Sequence, residues 1–190
     1  MSMAMTAAPA VEPVTLAEAK AQLRVDGNAE DAYITSLIVT SRLQIEAALG
    51  LALITQRWRL TLDDWPGAGV VELPMRPVQS IESIAISHGD GAASLLPGAS
   101  YHLDGMAQPA RLVLKDEAPP RPNAIAEGIA IDFTAGFGLL AVSVPQPIRQ
   151  ALLLLVAHWF ENREPSDANN GTRIPDAVSA LLAPYRVVHL

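Results

Sequence analysis

His158 and Glu161 are the two side chains whose types and spacing come nearest to acid–base chemistry in this chain of 190 residues. Residues three apart lie on one face of a helix, so the His158 imidazole and the Glu161 carboxylate could take part in the same proton transfer. Together with Asp132 from elsewhere in the chain, they would make a small hydrolase site. A histidine in a helix more commonly has a structural role, with its ring satisfied at an interface. We therefore predict no catalytic residue and no enzyme activity.

Metal and cofactor chemistry lacks suitable ligands in the sequence. His88, His102, His158 and His189 show none of the spacings typical of metal ligands. Segment 26–31 carries oxygen ligands at alternating positions, as a calcium loop does, but it lacks the sixth-position glycine and the distal glutamate. The segment is therefore interpreted as a turn before a helix. No cysteine is present, which excludes disulfides, thiolate metal sites and cysteine nucleophiles. The sequence predicts neither a metal nor a cofactor.

Composition restricts the class of protein further. Hydrophobic residues make up 50% of the chain, which is enough for one sizeable core. The net charge of -7 disfavours direct binding to a nucleic-acid backbone, which needs a clustered basic face. Residues 1–13 lack the basic and apolar regions of a secretory signal, so we interpret them as a mobile N-terminal arm. The longest apolar run is shorter than the roughly 20 residues that span a bilayer, and no membrane association is predicted.

Two helices are predicted after the arm. Thr15 and Glu18 have the spacing of a capping box, which indicates a helix that begins there and ends near Leu23. A second helix, from about Glu30 to Leu49, has its apolar residues on one stripe and is ended by Gly50. This part of the chain is therefore expected to form a helical hairpin.

The hydrophobic period changes from 3.6 to two after the second helix, which favours strands. Residues 51–138 are therefore predicted to form a small antiparallel sheet or sandwich, with turns at Gly, Pro and Asp residues. The strands are expected at about Leu53 to Leu62, Val70 to Leu73, Ile81 to Ser87, Ser100 to Leu103, Arg111 to Leu114 and Ile129 to Ala135.

A helix from Pro145 to about Arg163 is the most apolar segment of the chain. Apolar residues occupy every face of it between positions 151 and 160, so it needs cover on all sides. That cover could come from the protein's own core or from a neighbouring subunit, and periodicity does not separate the two. Its end carries aromatic residues beside charges, as the edge of an interface does, although both aromatics could equally pack inside the protomer. The candidate subunit contacts are Trp159, Phe160, Glu161 and Arg163.

A short helix and a tail are expected at the end of the sequence. Pro175 is typical of a helix start, and the helix should run to about Leu182. Residues 184–190 then form an extended tail, in which Tyr185, Arg186, Val187 and Val188 alternate in a way that would add a strand to a partner's sheet edge. The alternative is an edge strand within the same molecule.

A series of segments resembles the head-tail connector (adaptor) family of long-tailed bacteriophages and phage-derived gene transfer agents. The resemblance covers most of the chain and is carried by the order and spacing of the segments, since each alone is a helix start or turn found in many proteins. The segments are Val14-Thr-Leu-Ala-Glu-Ala-Lys20, Leu23-Arg-Val-Asp26, Leu53-Ile-Thr-Gln-Arg-Trp-Arg-Leu60, Leu73-Pro-Met-Arg-Pro-Val-Gln-Ser-Ile81, Phe133-Thr-Ala-Gly-Phe-Gly138, Val144-Pro-Gln-Pro-Ile148, His158-Trp-Phe-Glu-Asn-Arg-Glu164, Ile174-Pro-Asp-Ala-Val178 and Leu181-Leu-Ala-Pro-Tyr-Arg186.

The resemblance implies an α+β fold, in which a helical bundle made of the N-terminal hairpin and the C-terminal helices carries an inserted small antiparallel β subdomain. Residues 14–190 would be a single connector domain, with 51–138 as the β-rich insertion and 184–190 as the docking tail. The resemblance also implies that about twelve copies assemble as a ring, which is consistent with the closed cyclic symmetry of many assemblies of identical subunits. The ring would lie in the virion neck after assembly in the bacterial cytoplasm.

The resemblance also implies the partners. The ring would sit under the portal protein, extend the DNA channel and hold a docking surface for the tail, through a stopper or tail terminator protein. Portal docking is assigned to the tail residues Tyr185, Arg186, Val187 and Val188. Packaged DNA would pass through the channel without specific binding, because an acidic lumen repels phosphates. The alternative function is a packaging-associated nucleic-acid-binding protein, which would need a basic face.

Overall fold

The protein has a mixed α+β fold that divides into two compact units. A computed structural model describes residues 1–88, 91–116, 118–163 and 174–186. The sheet unit consists of Met1–Ala10 and Thr55–Phe137, and the helical unit consists of Val11–Ile54 and the chain from Gly138 onward. Each unit is therefore built from two separate stretches of sequence. No helix in the described ranges is both long and apolar enough to cross a bilayer.

Four α-helices lie in the described part of the helical unit. They are α1 (Leu16–Leu23), α2 (Asp31–Leu49), α3 (Gln146–Glu161) and α4 (Asp176–Leu182). Both helices predicted for the N-terminal part are present, and α3 contacts α1, α2 and α4. The Thr15 hydroxyl accepts a hydrogen bond from the Glu18 N–H at 3.2 Å, while the Glu18 carboxylate accepts from the Thr15 N–H at 2.8 Å. Gly50 ends α2 in the left-handed region, with φ of 61°.

One stripe of α3 forms the centre of this unit. Ile148, Ala151, Leu152, Leu155 and Val156 are buried, with the three-and-four spacing of a single helix face. The residues of the other faces from position 153 to 160 are only half-buried in the described structure. Within the described residues, the protein's own core covers one face of this helix fully and its other faces in part.

Two antiparallel sheets form the sheet unit. Their strands are β1 (Ser2–Ala7), β2 (Gln56–Leu62), β3 (Val70–Leu73), β4 (Val78–Ser87), β5 (Ala93–Leu95), β6 (Tyr101–Asp104), β7 (Ala110–Leu114) and β8 (Ile129–Ala135). The five-stranded sheet has the order β1-β2-β8-β4-β5 and the three-stranded sheet the order β3-β7-β6.

Alternation along the strands buries one face of the larger sheet. Leu60 lies opposite Ile131, and Ile131 lies opposite Ile84, so the three fully buried side chains form one row across the sheet. Phe133 is fully buried on the same face. The neighbouring residues Arg57 and Arg59 are exposed, as the period of two predicts.

Three boundaries differ from the sequence-based expectation. The predicted mobile arm is not one in the structure, because Ser2–Ala7 pairs with β2 as an edge strand. Its short, uncharged sequence contains a single β-branched residue, Thr6, and no aromatic residue, so it carries little of the usual signal for a strand. Residues 51–54 are buried within the helical unit, so the β-rich part starts at 55 rather than 51. In the predicted tail, Ala183–Tyr185 forms a 3-10 turn, and residues 187–190 lie outside the described structure.

Candidate assembly surfaces

The end of α3 meets the start of α2 in a cluster that we call the aromatic corner: Glu30, Tyr33, Phe160 and Arg163. The Arg163 guanidinium carbon lies 4.6 Å from the centroid of the Tyr33 ring and 4.4 Å from that of Phe160. The two ring centroids are 6.0 Å apart. Arg163 Nη2 also donates to Glu30 Oε2 at 2.9 Å. The corner therefore combines cation–π contacts with an ion pair.

The aromatic corner contains two of the four predicted subunit contacts. Phe160 and Arg163 have partners from α2 within the same chain, while Trp159 is half-buried and Glu161 is exposed. Glu30 and Tyr33 were not predicted, and they lie more than a hundred residues away in sequence. No local pattern links them to Arg163, because their contact is created by the packing of α2 on α3.

An apolar groove opens beside the first turn of α1. Its volume is about 320 Å³, and a short segment before α3 forms part of its wall. Next to it, Leu139, Leu140 and Val142 are exposed to solvent. Adjacent exposed large apolar side chains of this kind mark surfaces that other molecules cover. The lining residues are Val11, Glu12, Val14, Thr15, Leu16, Thr35, Ile38, Leu140 and Ala141.

A buried charge cluster holds α2 against both segments that flank it. Arg42 Nε donates to Glu12 Oε2 at 2.7 Å, and Arg42 Nη1 donates to Glu46 Oε2 at 2.8 Å. Glu46 Oε1 also accepts from the Leu53 N–H at 2.8 Å. Burial disfavours the charged form of Arg42, but the two carboxylates outweigh it and raise the pKa of its guanidinium. The cluster is thus a structural ion-pair network whose charges are all engaged.

The oxygen-rich segment 26–31 already holds a cation of the protein's own. The Lys20 ammonium donates to the Gly27 carbonyl and, at 2.6 Å, to Asp31 Oδ1. A protein ammonium group therefore occupies the position in which a calcium ion would need these oxygens. Among the residues that the structure describes, no group of three or more His, Cys, Asp or Glu side chains is arranged to hold a metal ion.

The three residues considered for acid–base chemistry, His158, Glu161 and Asp132, have different surroundings in the structure. Asp132, in the sheet unit, forms a two-pronged ion pair with Arg59, at 2.7 and 2.8 Å. This hydrogen-bonded pair lowers the pKa of the Asp132 carboxyl. His158, in the helical unit, has its Nδ1 at 3.4 Å from the Asn162 amide nitrogen, and Glu161 is exposed. His158 and Asp132 therefore belong to different units.

Part of the predicted docking tail lies in the described structure. Tyr185 is half-buried and ends the 3-10 turn after α4, and Arg186 is exposed and extended. Val187 and Val188 lie outside the described residues. The tail therefore begins at the surface of the helical unit.

These features define a two-unit α+β protein. The model of the "Phage gp6-like head-tail connector protein" family matches residues 13–93. The resemblance of this chain to the head-tail connector family of phages and gene transfer agents, predicted from its sequence, is confirmed. No curated protein matches the chain.

Solved structures of gene transfer agent (GTA) particles contain similar chains. The TM-score is 0.86 to a chain of "Neck of empty GTA particle computed with C6 symmetry". It is 0.85 to a chain of "Virion of native gene transfer agent (GTA) particle" and 0.83 to a chain of "Neck of native GTA particle computed with C12 symmetry". Each chain is 27% identical, and each alignment covers 100% of this chain and 97% of the other. The likeness thus extends over both units.

Proposed function

We propose that this chain is a structural head-tail connector subunit, which assembles as a ring under a portal protein, extends the DNA channel and provides the docking surface for a tail. The observation that carries the proposal is the full-length likeness to chains of GTA necks, with a TM-score of 0.86. The role is mechanical and includes no catalytic step. The ring would be assembled in the bacterial cytoplasm and lie in the neck of the particle, where a stopper or tail terminator protein would follow it.

Assembly as a ring of copies is supported by the C12 and C6 symmetry of those neck structures. The half-buried faces of α3 would be covered by a neighbouring copy, with Trp159 and Phe160 as anchors and Glu161 and Arg163 as rim charges. Within each copy, the four helices would act as the rigid bundle that presents these side chains. The apolar groove beside α1 offers a second surface for such contacts.

The docking of the portal is assigned to the C-terminal tail, from Tyr185 to Val188. A segment that extends from a protein surface can add a strand to the edge of a partner's sheet, and Arg186 is exposed and extended. Deletion of the residues after Pro184 should abolish portal binding in pull-down and leave the melting temperature unchanged. If the melting temperature falls instead, the tail is an edge strand of its own protomer.

Packaged DNA would pass through the ring without specific binding. The net charge of -7 per copy repels phosphates, so the duplex would slide rather than adhere. Asp-to-Lys changes at positions facing the channel should therefore slow DNA ejection, and an unchanged ejection rate would contradict this part of the proposal.

The decisive experiment removes the gene from its producing strain and restores the protein afterwards. DNA-filled heads without tails are expected by electron microscopy, and purified protein added to the lysate should restore tailed particles. Empty heads would favour the packaging-associated nucleic-acid-binding function, and normal particles would exclude a connector role.

The same add-back assay tests the aromatic end of α3. Trp159→Ala should reduce the yield of tailed particles, because it removes an anchor from the subunit contact. Met106→Ala, at an exposed apolar side chain of a loop in the sheet unit, is the matched control and should rescue fully. Full rescue by both variants would show that Trp159 does not contribute to the subunit interface.

A further inference from the structure

β1 is an edge strand without the usual protection against pairing. All six of its residues are exposed, and none is charged, proline or glycine. It pairs with β2 on one side only within the described structure, so its other side presents backbone N–H and C=O groups to solvent. Natural proteins commonly protect such edges with lysine, proline or a covering element. An uncharged, uncovered edge of six residues is therefore a surface built for pairing.

The opposite edge of the same sheet has a matching character. The residues Ala93–Leu95 of β5 are exposed and uncharged, and Leu95 is 71% exposed. Two further backbone hydrogen bonds extend the pairing of this segment with β4 beyond the three strand residues. The His88 N–H donates to the Ala92 carbonyl at 3.0 Å, and the Leu96 N–H donates to the Ile84 carbonyl at 2.8 Å. The extended segment is thus about as long as β1.

The strand directions allow the two edges to meet between copies. Each neighbouring pair in the order β1-β2-β8-β4-β5 is antiparallel, so β1 and β5 run in the same direction. A copy related by rotation would bring its β1 alongside β5 of the first copy as a parallel pair. This contact uses two different edges, so it is head-to-tail, and a contact of this type forms a ring when the rotation between neighbouring copies closes.

Side-chain size and charge also suit this contact. Leu95 lies opposite Ala85 in the sheet, and Ala85 lies opposite Ala130, so Leu95 is on the face of the sheet that also carries Ala4. The small Ala4 of a neighbouring copy leaves room for the large Leu95. Copies with a net charge of -7 repel one another, and the uncharged edges offer an approach without paired like charges.

We propose that β1 of one copy pairs in parallel with β5 of the next, so that the five-stranded sheet continues across the subunit boundary of the ring. The proposal rests on the connector function proposed above. It adds that each edge of the sheet is paired with a second copy of this chain. A closed ring of this kind would leave no free edge on the sheet.

The absence of native cysteine makes a direct crosslinking test possible. Ala4→Cys and Leu95→Cys are introduced together, and a second variant carries Ser2→Cys with Leu95→Cys to cover a shift of the register by two residues. Within one copy, four strand spacings separate β1 from β5, or ~19 Å. A disulfide requires Cα atoms within about 7 Å, so any bond must join two copies.

The variants are added to particles of the deletion strain, oxidised, and analysed on gels without reductant. A ladder of dimers and higher species, lost on reduction, is expected for at least one pair. Ala4→Cys with Met106→Cys is the matched control, since Met106 is exposed but lies in a loop, and it should stay monomeric. Tailed particles without crosslinks from either pair would overturn the edge pairing.

Failure of the connector function would be visible separately. If the wild-type protein itself does not restore tails, the proposed function is wrong, whatever the crosslinks show. If it restores tails and the control pair crosslinks as strongly as the edge pairs, the edge pairing is wrong and the function stands. A variant that carries a proline at the edge, Ala4→Pro, should lower tail rescue and leave the amide protection of β8, which does not pair with β1, unchanged.

Discussion

The sheet unit and the helical unit differ in one respect, because among the described residues only the helical unit has an ion pair with both side chains buried. In the sheet unit, the Arg59–Asp132 pair lies on the outer face, and the Arg59 side chain is 51% exposed. In the helical unit, the Arg42–Glu46 pair is buried, with exposures of 7% and 6%. The sheet unit is thus stabilised by apolar rows, while the helical unit also depends on a charge network that must stay complete. The two units should therefore respond differently to the loss of one side chain.

The largest effect is expected from a cavity in the sheet unit. Phe133→Ala removes a fully buried ring from the apolar face of β8 and should lower the free energy of unfolding by about 4 kcal/mol. Urea denaturation measures the loss, and amide hydrogen exchange locates it. Protection should fall in β2 and β8 and persist in α2 and α3, whereas an equal fall in all four elements would remove the distinction between the units.

Loss of one charge should destabilise the helical unit nearly as strongly. Arg42→Met leaves Glu12 and Glu46 without their partner and should cost about 3 kcal/mol in urea denaturation. Arg59→Met is the matched control on the sheet unit and should cost about 1 kcal/mol or less, because that pair is exposed. Equal losses for the two variants would show that burial of the pair does not matter.

A smaller effect is expected where a helix of this unit begins. Thr15→Ala removes the hydroxyl of the capping box and should lower the free energy of unfolding by about 1 kcal/mol. Thr40→Ala makes the same change inside α2, where the hydroxyl bonds only to the Ser36 carbonyl of its own helix, and should be nearly neutral. The melting temperatures of the two variants measure the difference. Equal melting temperatures would show that the Thr15 cap does not stabilise the helix.

The same contrast explains what the sequence could predict. The capping box at Thr15, the Gly50 stop and the alternation along β2 are local patterns, and each predicted its element. The i,i+4 spacing of Arg42 and Glu46 is also visible in the sequence. Glu12, which completes the pair, lies thirty residues from Arg42, and only tertiary packing brings it there.

The edges of the sheet and the aromatic corner could not be predicted for the same reason. β1 has no strong strand propensity and owes its state to pairing with β2. Arg163 was singled out as a rim charge, but its partners Tyr33 and Glu30 come from another helix. The likeness to head-tail connectors was predictable because it depends on the order of many local segments rather than on any one long-range contact.

The smallest expected effect concerns the charged face of the sheet, and its pH dependence has a definite sign. Asp132 is paired with Arg59, and this pairing lowers the pKa of its carboxyl in the folded state. Its stabilisation is therefore present above the unfolded pKa of about 3.9 and is lost as the pH falls through the lower folded value. Because Arg59 is half exposed, Asp132→Asn should cost less than about 1 kcal/mol at pH 7. In urea denaturation, the free energies of unfolding of the wild type and the variant should converge as the pH falls below the unfolded pKa of the Asp132 carboxyl. A difference that widens on acidification would mean that the sheet unit also depends on a shielded charge.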